Sequence, residues 1–162
     1  MKVITIGIIA LMVLGCGTKK KAEQAKSEEP VNVEKNETTP QTMDVIKVKA
    51  AIDRPDRAIA SDPFTIDAIE IRGNIMYADV TYSGGCEAHD FEVVGSPEIA
   101  KSLPPIRGVK ILHYANGDSC REVKKVKLEI YINELAYQQE AGSEIYFTIQ
   151  GWKEKVLYVF QK

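Results

Sequence analysis

Lys125-Val126-Lys127-Leu128-Glu129-Ile130-Tyr131-Ile132 carries the strictest two-residue alternation in the chain. Val126, Leu128, Ile130 and Ile132 share one parity; Lys125, Lys127, Glu129 and Tyr131 share the other. Successive side chains of a β-strand point to opposite faces, so this segment reads as a strand with one apolar and one polar face.

Working outward, the same period recurs. Phe64, Ile66 and Ala68 alternate with Thr65 and Asp67, then the apolar phase slips to Ile69 and Ile71. A one-residue slip inside a strand predicts a β-bulge. Gly73-Asn74 predicts a hairpin turn, because both residues tolerate positive φ. The return strand places Met76, Ala78, Val80 and Tyr82 on one side, and Ser83-Gly84-Gly85 ends it. His89, Phe91 and Val93 share a parity, as do Val109, Ile111 and His113. Ser96-Pro97-Glu98 reads as a helix start, with a capping Ser, Pro at the first position and an acid after it. Leu103-Pro104-Pro105 stops that helix within two turns.

Asn133-Glu134-Leu135-Ala136 predicts a single helical turn. Ile145, Phe147 and Ile149 face inward on the next strand, and Val156 to Phe160, apolar on both parities, reads as a central strand. The partial alternation of Met43 to Ile52 predicts an edge strand or arm, broken at Asp53-Arg54-Pro55-Asp56. About seven short strands with frequent turn signals and no long helical period predict an all-β fold. The expected architecture is an antiparallel β-sandwich over residues 43–162, with a small β-barrel as the second choice. Trp152 follows both domain cysteines, so the Cys–Trp–Cys order of immunoglobulin domains is absent.

Composition agrees. The chain has 162 residues, 44% hydrophobic and 27% charged, enough for one globular domain with appendages. Every Phe, Tyr and Trp lies between Phe64 and Phe160, so the core belongs to the C-terminal two thirds. A net charge of −2 lacks the basic field that nucleic acid requires.

The N-terminus reads separately. Lys2 precedes an apolar run from Val3 to Leu14, 12 residues, then Gly15-Cys16. This is the pattern of a secretory signal peptide over residues 1–15, too short for a membrane span of ~20 residues. Val13-Leu14-Gly15-Cys16 resembles the lipobox of bacterial lipoproteins. The resemblance implies cleavage before Cys16, a diacylglyceryl thioether on its sulfur, acylation of its new amine with a chain such as palmitate, and stable membrane anchoring. Gly17, rather than Asp, after that cysteine implies the outer membrane of a bacterial envelope, facing the periplasm or the cell surface. Gly17 to Thr42 holds five Lys, five Glu and no aromatic residue, the composition of a flexible tether. As a coil, the tether would hold the domain ~30 Å from the bilayer.

Two stretches concentrate the domain's reactive chemistry. Gly84-Gly85-Cys86-Glu87-Ala88-His89-Asp90 and His113-Tyr114-Ala115-Asn116-Gly117-Asp118-Ser119-Cys120 hold both domain cysteines and both histidines of the chain. Parity places His89 and His113 on inner faces, so one end of the sandwich is expected to gather the four residues. Three readings follow. An exported chain with two cysteines left after lipidation favours a Cys86–Cys120 disulfide closing a loop of about 35 residues, in the chain-entropy model worth roughly 4 kcal/mol. Alternatively Cys86, His89, His113 and Cys120 form a Cys₂His₂ set for zinc or copper, although His-x₆-Cys does not match the usual close ligand pairs. The third is a Cys–His nucleophile with Asp90 or Asp118 as orienting group and Gly84-Gly85 as oxyanion hole. His89, Asp90, His113 and Asp118 are the candidate binding residues. The string from Tyr82 to Phe91, with Leu103-Pro104-Pro105 and the His113 to Glu122 stretch, resembles uncharacterised bacterial lipoproteins. That resemblance implies an exported β-rich fold and no known activity. No phosphate loop, Ser-His-Asp arrangement or paired-carboxylate site stands out, so neither catalysis nor a cofactor is expected. The expected role is that of a membrane-tethered module for an unidentified protein or ligand.

Overall fold

The computed structural model describes residues 43–53 and 60–162. The signal peptide, Cys16, the tether and residues 54–56 of the expected break lie outside the described residues. Among those described, nine strands run in the order β1 (Asp44–Lys49), β2 (Ala51–Ile52), β3 (Phe64–Arg72), β4 (Ile75–Gly84), β5 (Asp90–Ala100), β6 (Ile106–Tyr114), β7 (Glu122–Tyr131), β8 (Glu144–Ile149) and β9 (Lys155–Val159), with one 3₁₀ turn at Asn133–Leu135. They form two sheets, β1-β7-β4-β3 and β2-β5-β6-β8-β9. The fold is an all-β sandwich, not the closed barrel of the second choice.

The opening stretch forms β7, and its Val126, Leu128 and Ile130 are buried between the sheets. Met76, Ala78 and Val80 of β4 lie beside them, and Val109, Ile145, Phe147 and Tyr158 face them from the other sheet's strands and its edge. The outer face of the first sheet is solvated and charge-laced: Lys127 pairs with Asp79 at 2.7 Å, and Lys47 with Glu129 at 3.6 Å. The bulge falls where the phase slips, between Ile66 and Ala68 in the pairing of β3 with β4. The Gly73-Asn74 turn forms with Gly73 at φ 60°. The Asn74 side chain also reaches the far end of the chain, where its Oδ1 accepts from Tyr158 Oη and from the Gln161 amide, both at 2.9 Å.

Four expectations need correction. The sheets are mixed rather than antiparallel throughout, because β1 with β7, β2 with β5 and β6 with β8 pair in parallel. The chain leaves β6, crosses to the opposite sheet as β7 and returns as β8 in the original direction. Parallel neighbours need such a long crossover. The N-terminal ribbon serves both sheets, β1 lining one and β2 the other, with buried Ala50 at the crossing. Strands among the described residues number nine rather than about seven. Ser96-Pro97-Glu98 does not start a helix but lies within β5, at a register break between Gly95 and Ile99. Ser96 Oγ still accepts from the Glu98 amide at 3.1 Å, so the local cap forms inside a strand irregularity. Finally, β9 is an edge strand rather than a central one, and Leu157 and Val159 on its outer side are exposed.

Arg107 is the unexpected core residue. It shares parity with Val109 and Ile111 and is 5% exposed. Its Nε donates to the Leu135 carbonyl at 3.1 Å, Nη2 to the Ala136 carbonyl at 3.5 Å, and Nη1 to the Ser96 carbonyl. The guanidinium therefore ties the 3₁₀ turn to the broken section of β5. A Cβ at Gly95 would lie 2.6 Å from Leu135 Cδ2, so only glycine allows this approach.

Candidate functional site

β4 and β7 of one sheet end together, with Gly84 opposite Glu122, and β5 and β6 of the other end together, with Asp90 opposite Tyr114. Loop 85–89 and loop 115–121 therefore cross from sheet to sheet side by side. Asn116 and Gly117, at φ 53° and 81°, turn the second loop back, and Asp118 lands beneath the first.

Asp118 organises the site. Its Oδ2 accepts from the backbone amides of Gly85, Cys86 and Glu87 at 2.7, 2.9 and 3.1 Å, and from His89 Nε2 at 3.1 Å. Its Oδ1 accepts from the Cys120 amide at 2.8 Å. Three successive amides aimed at one oxygen make an anion nest, filled here by the protein's own carboxylate. The Cys120 amide first, then those of Glu87 and Cys86 with His89, hold this carboxyl well below the usual carboxylate range, while desolvation works against them. Cys86 and Cys120 are joined through their sulfurs, with Cα atoms 5.9 Å apart.

Beneath the loops the two imidazoles meet. His89 Nδ1 lies 2.7 Å from His113 Nε2. The His89 side chain is 1% exposed and that of Asp118 0%, and His113 is 1% exposed. Tyr82 stacks on His89 with centroids 4.5 Å apart, and Phe91 on His113 at 4.9 Å. Phe64 meets His113 edge-on at 5.9 Å. Burial first, then the neighbouring His89, pushes the His113 pKa down, while the backbone at Asp62 and Pro63 opposes both. The strand end is also clasped from outside: the His113 amide donates to Ser61 Oγ at 3.1 Å, and the Ala115 amide to Asp62 Oδ2 at 2.7 Å.

The four predicted residues thus share one end of the sandwich but not one face. The histidines are internal, whereas the cysteines sit in the loops at the rim, Cys86 exposed and Cys120 half-buried. The Cys₂His₂ arrangement does not form. Cys86, Asp118 and Cys120 place ligand atoms within 4.8 Å of one another, but a bonded sulfur is not the thiolate a metal takes. The nucleophile reading loses its thiolate for the same reason. Asp118 does contact His89, whereas Asp90 is exposed and accepts from Asn116 Nδ2 at 2.9 Å. Gly85, the expected oxyanion donor, is occupied by Asp118. Ser61 and Asp62 escaped the sequence reading because they lie about fifty residues from the strand end they clasp. Arg107 was within reach of it, since its parity matches Val109 and Ile111.

Two expected outcomes follow. A Cβ on Gly84 would overlap His89 Nε2 and lie 3.0 Å from Asp118 Oδ2. Gly84→Ala should therefore break the His89–Asp118 contact and lower Tm by roughly 5 °C or more; an unchanged melt would mean that the loop has slack. The pH dependence has a definite sign. His113 and Asp118 both have folded values below their ordinary 6.5 and 3.8. Each adds stability above its ordinary value and loses it as pH falls through the folded one. Tm should drop in two stages on acidification, the first starting near pH 6.5 and the second below pH 3.8, and His113→Gln should erase the first.

No protein-family profile and no curated protein matches the chain. Solved structures do resemble it. A NigD-like immunity protein from Bacteroides caccae aligns with a TM-score of 0.51 and 17% identity over 72% of this chain and 64% of that one. A putative toxin-related protein from Parabacteroides distasonis aligns at 0.46 and 14% over 69% and 61%. A protein of unknown function from Bacteroides vulgatus aligns at 0.45 and 13% over 74% and 57%. The chain thus spans less than two thirds of each of them. The first likeness shows the all-β sandwich fold and nothing finer.

Proposed function

We propose that the chain is an exported lipoprotein, anchored through acylated Cys16 to a bacterial envelope membrane, and that its β domain is a non-catalytic binding or structural module. One observation carries the non-catalytic half. Each reactive side chain at the candidate site is engaged by another group of the same site. Cys86 holds Cys120, Asp118 holds three amides and His89, and His89 holds His113. That leaves no thiolate for attack and no pair of thiols for a metal. The anchoring half rests on Val13-Leu14-Gly15-Cys16 and on the tether composition between it and the domain. The outer membrane, reached through Gly17 after the cysteine, is the proposed address.

Cys16→Ser should abolish palmitate labelling and release the chain from the membrane fraction. Unchanged labelling and fractionation would remove the anchor. Crosslinking in intact cells, with the captured species identified, tests the module half. A specific, saturable protein or ligand partner is expected, and turnover of a small substrate by the purified full chain would overturn the reading.

A further inference from the structure

We propose that the His89–His113 contact is a proton-counting latch, closed while the two imidazoles share one proton between them and forced open when each carries its own. The Asp118 carboxylate, accepting five bonds, is acceptor-only, so the His89 Nε2 facing it at 3.1 Å carries hydrogen. In the neutral ring His89 Nδ1 is then an acceptor, and the His113 Nε2 at 2.7 Å must be the donor. That leaves His113 Nδ1 without hydrogen, a buried nitrogen in no well-formed hydrogen bond and turned toward the backbone of Asp62 and Pro63, which favours a proton there.

The next proton enters on His113 Nδ1, on the side of the Asp62 and Pro63 backbone. It makes the pair a single cation beside the Asp118 anion, and the shared proton stays in place. A further proton would set two N–H groups face to face at 2.7 Å, which no hydrogen bond permits. The contact must then open. The charged and titratable groups facing the pair are Asp118 from loop 115–121, Asp62 from the segment before β3 and Tyr82 from β4; Phe64 and Phe91 close the remaining sides. Opening would swing the His89 end of loop 85–89 away from the end of β6, within one sheet, while the disulfide still pins that loop to loop 115–121. Acid would thereby change the shape of this end without unfolding the domain.

The test is nitrogen NMR on the full chain, labelled with ¹⁵N-histidine, from pH 8 downward. The coupling transmitted through the shared proton between His89 Nδ1 and His113 Nε2 should be present at pH 8. It should survive the first protonation and vanish at the second, the two steps lying more than about one pH unit apart. In His89→Gln the coupling should be absent, and His113 should titrate in one step. If the coupling is never seen, or if both rings take protons in independent single steps without losing it, the latch does not exist. The wild-type titration decides the question even where the variant does not fold.

Discussion

Replacing Cys86 and Cys120 together by serine is expected to lower the stability of the domain by about 4 kcal/mol. The bond joins residues 34 apart, and cross-linking removes loop-closure entropy from the unfolded chain by a constant plus an amount that grows with the logarithm of that separation. The loops have a second, non-covalent tie through Asp118 and the amides of residues 85–87. The folded site should therefore keep its geometry without the bond, and the loss should come from the unfolded side. Denaturant titration of the wild-type chain with and without a phosphine reductant, and of the double serine variant, reads the loss as a lower midpoint. Nuclear resonances in the folded state should shift only near loops 85–89 and 115–121. A loss under about 1 kcal/mol would mean that the Asp118 tie alone closes this end, and that the bond adds nothing to stability.

Arg107→Ala is expected to cost roughly 3 kcal/mol. Removing the guanidinium strands the carbonyls of Ser96, Leu135 and Ala136 in a buried place and deletes the apolar stem that packs there. Desolvation already pulls this guanidinium's pKa down, and among the described residues no carboxylate pairs with it. Arg107→Lys separates charge from geometry. An ammonium keeps the charge but cannot fork to three carbonyls, so it should recover little of the loss. Equal stability of the lysine variant and the wild type would show that charge, not the fork, holds the 3₁₀ turn. The readout is again the denaturant midpoint, with the unfolding slope unchanged.

Parts of this molecule follow from short stretches alone. The alternation in β7 and β4, the bulge marked by the slip between Ile66 and Ile69, and the Gly73-Asn74 turn were all legible because neighbouring residues decide them. The gathering of His89 and His113 at one end was legible too, through parity. Where several strands must agree, local rules lost. Ser96-Pro97-Glu98 is a sound helix start by itself, yet pairing of β5 with β6 on either side holds it extended around a bulge. Val156 to Phe160 reads as central because both parities are apolar, but among the described residues no strand pairs on its far side.

Residues 43 to 162 thus carried their own strand-forming instructions, an apolar face of determined phase, and the two stretches that would form the site. Only the tertiary structure decided which strands are neighbours, that three of their pairings run parallel, and that Asp118 sits under the amides of residues 85–87. The reason is physical. Side-chain alternation is imposed by the local backbone. Pairing and clasping depend instead on the balance of burial and hydrogen bonding between segments thirty or more residues apart, and no single stretch contains that balance.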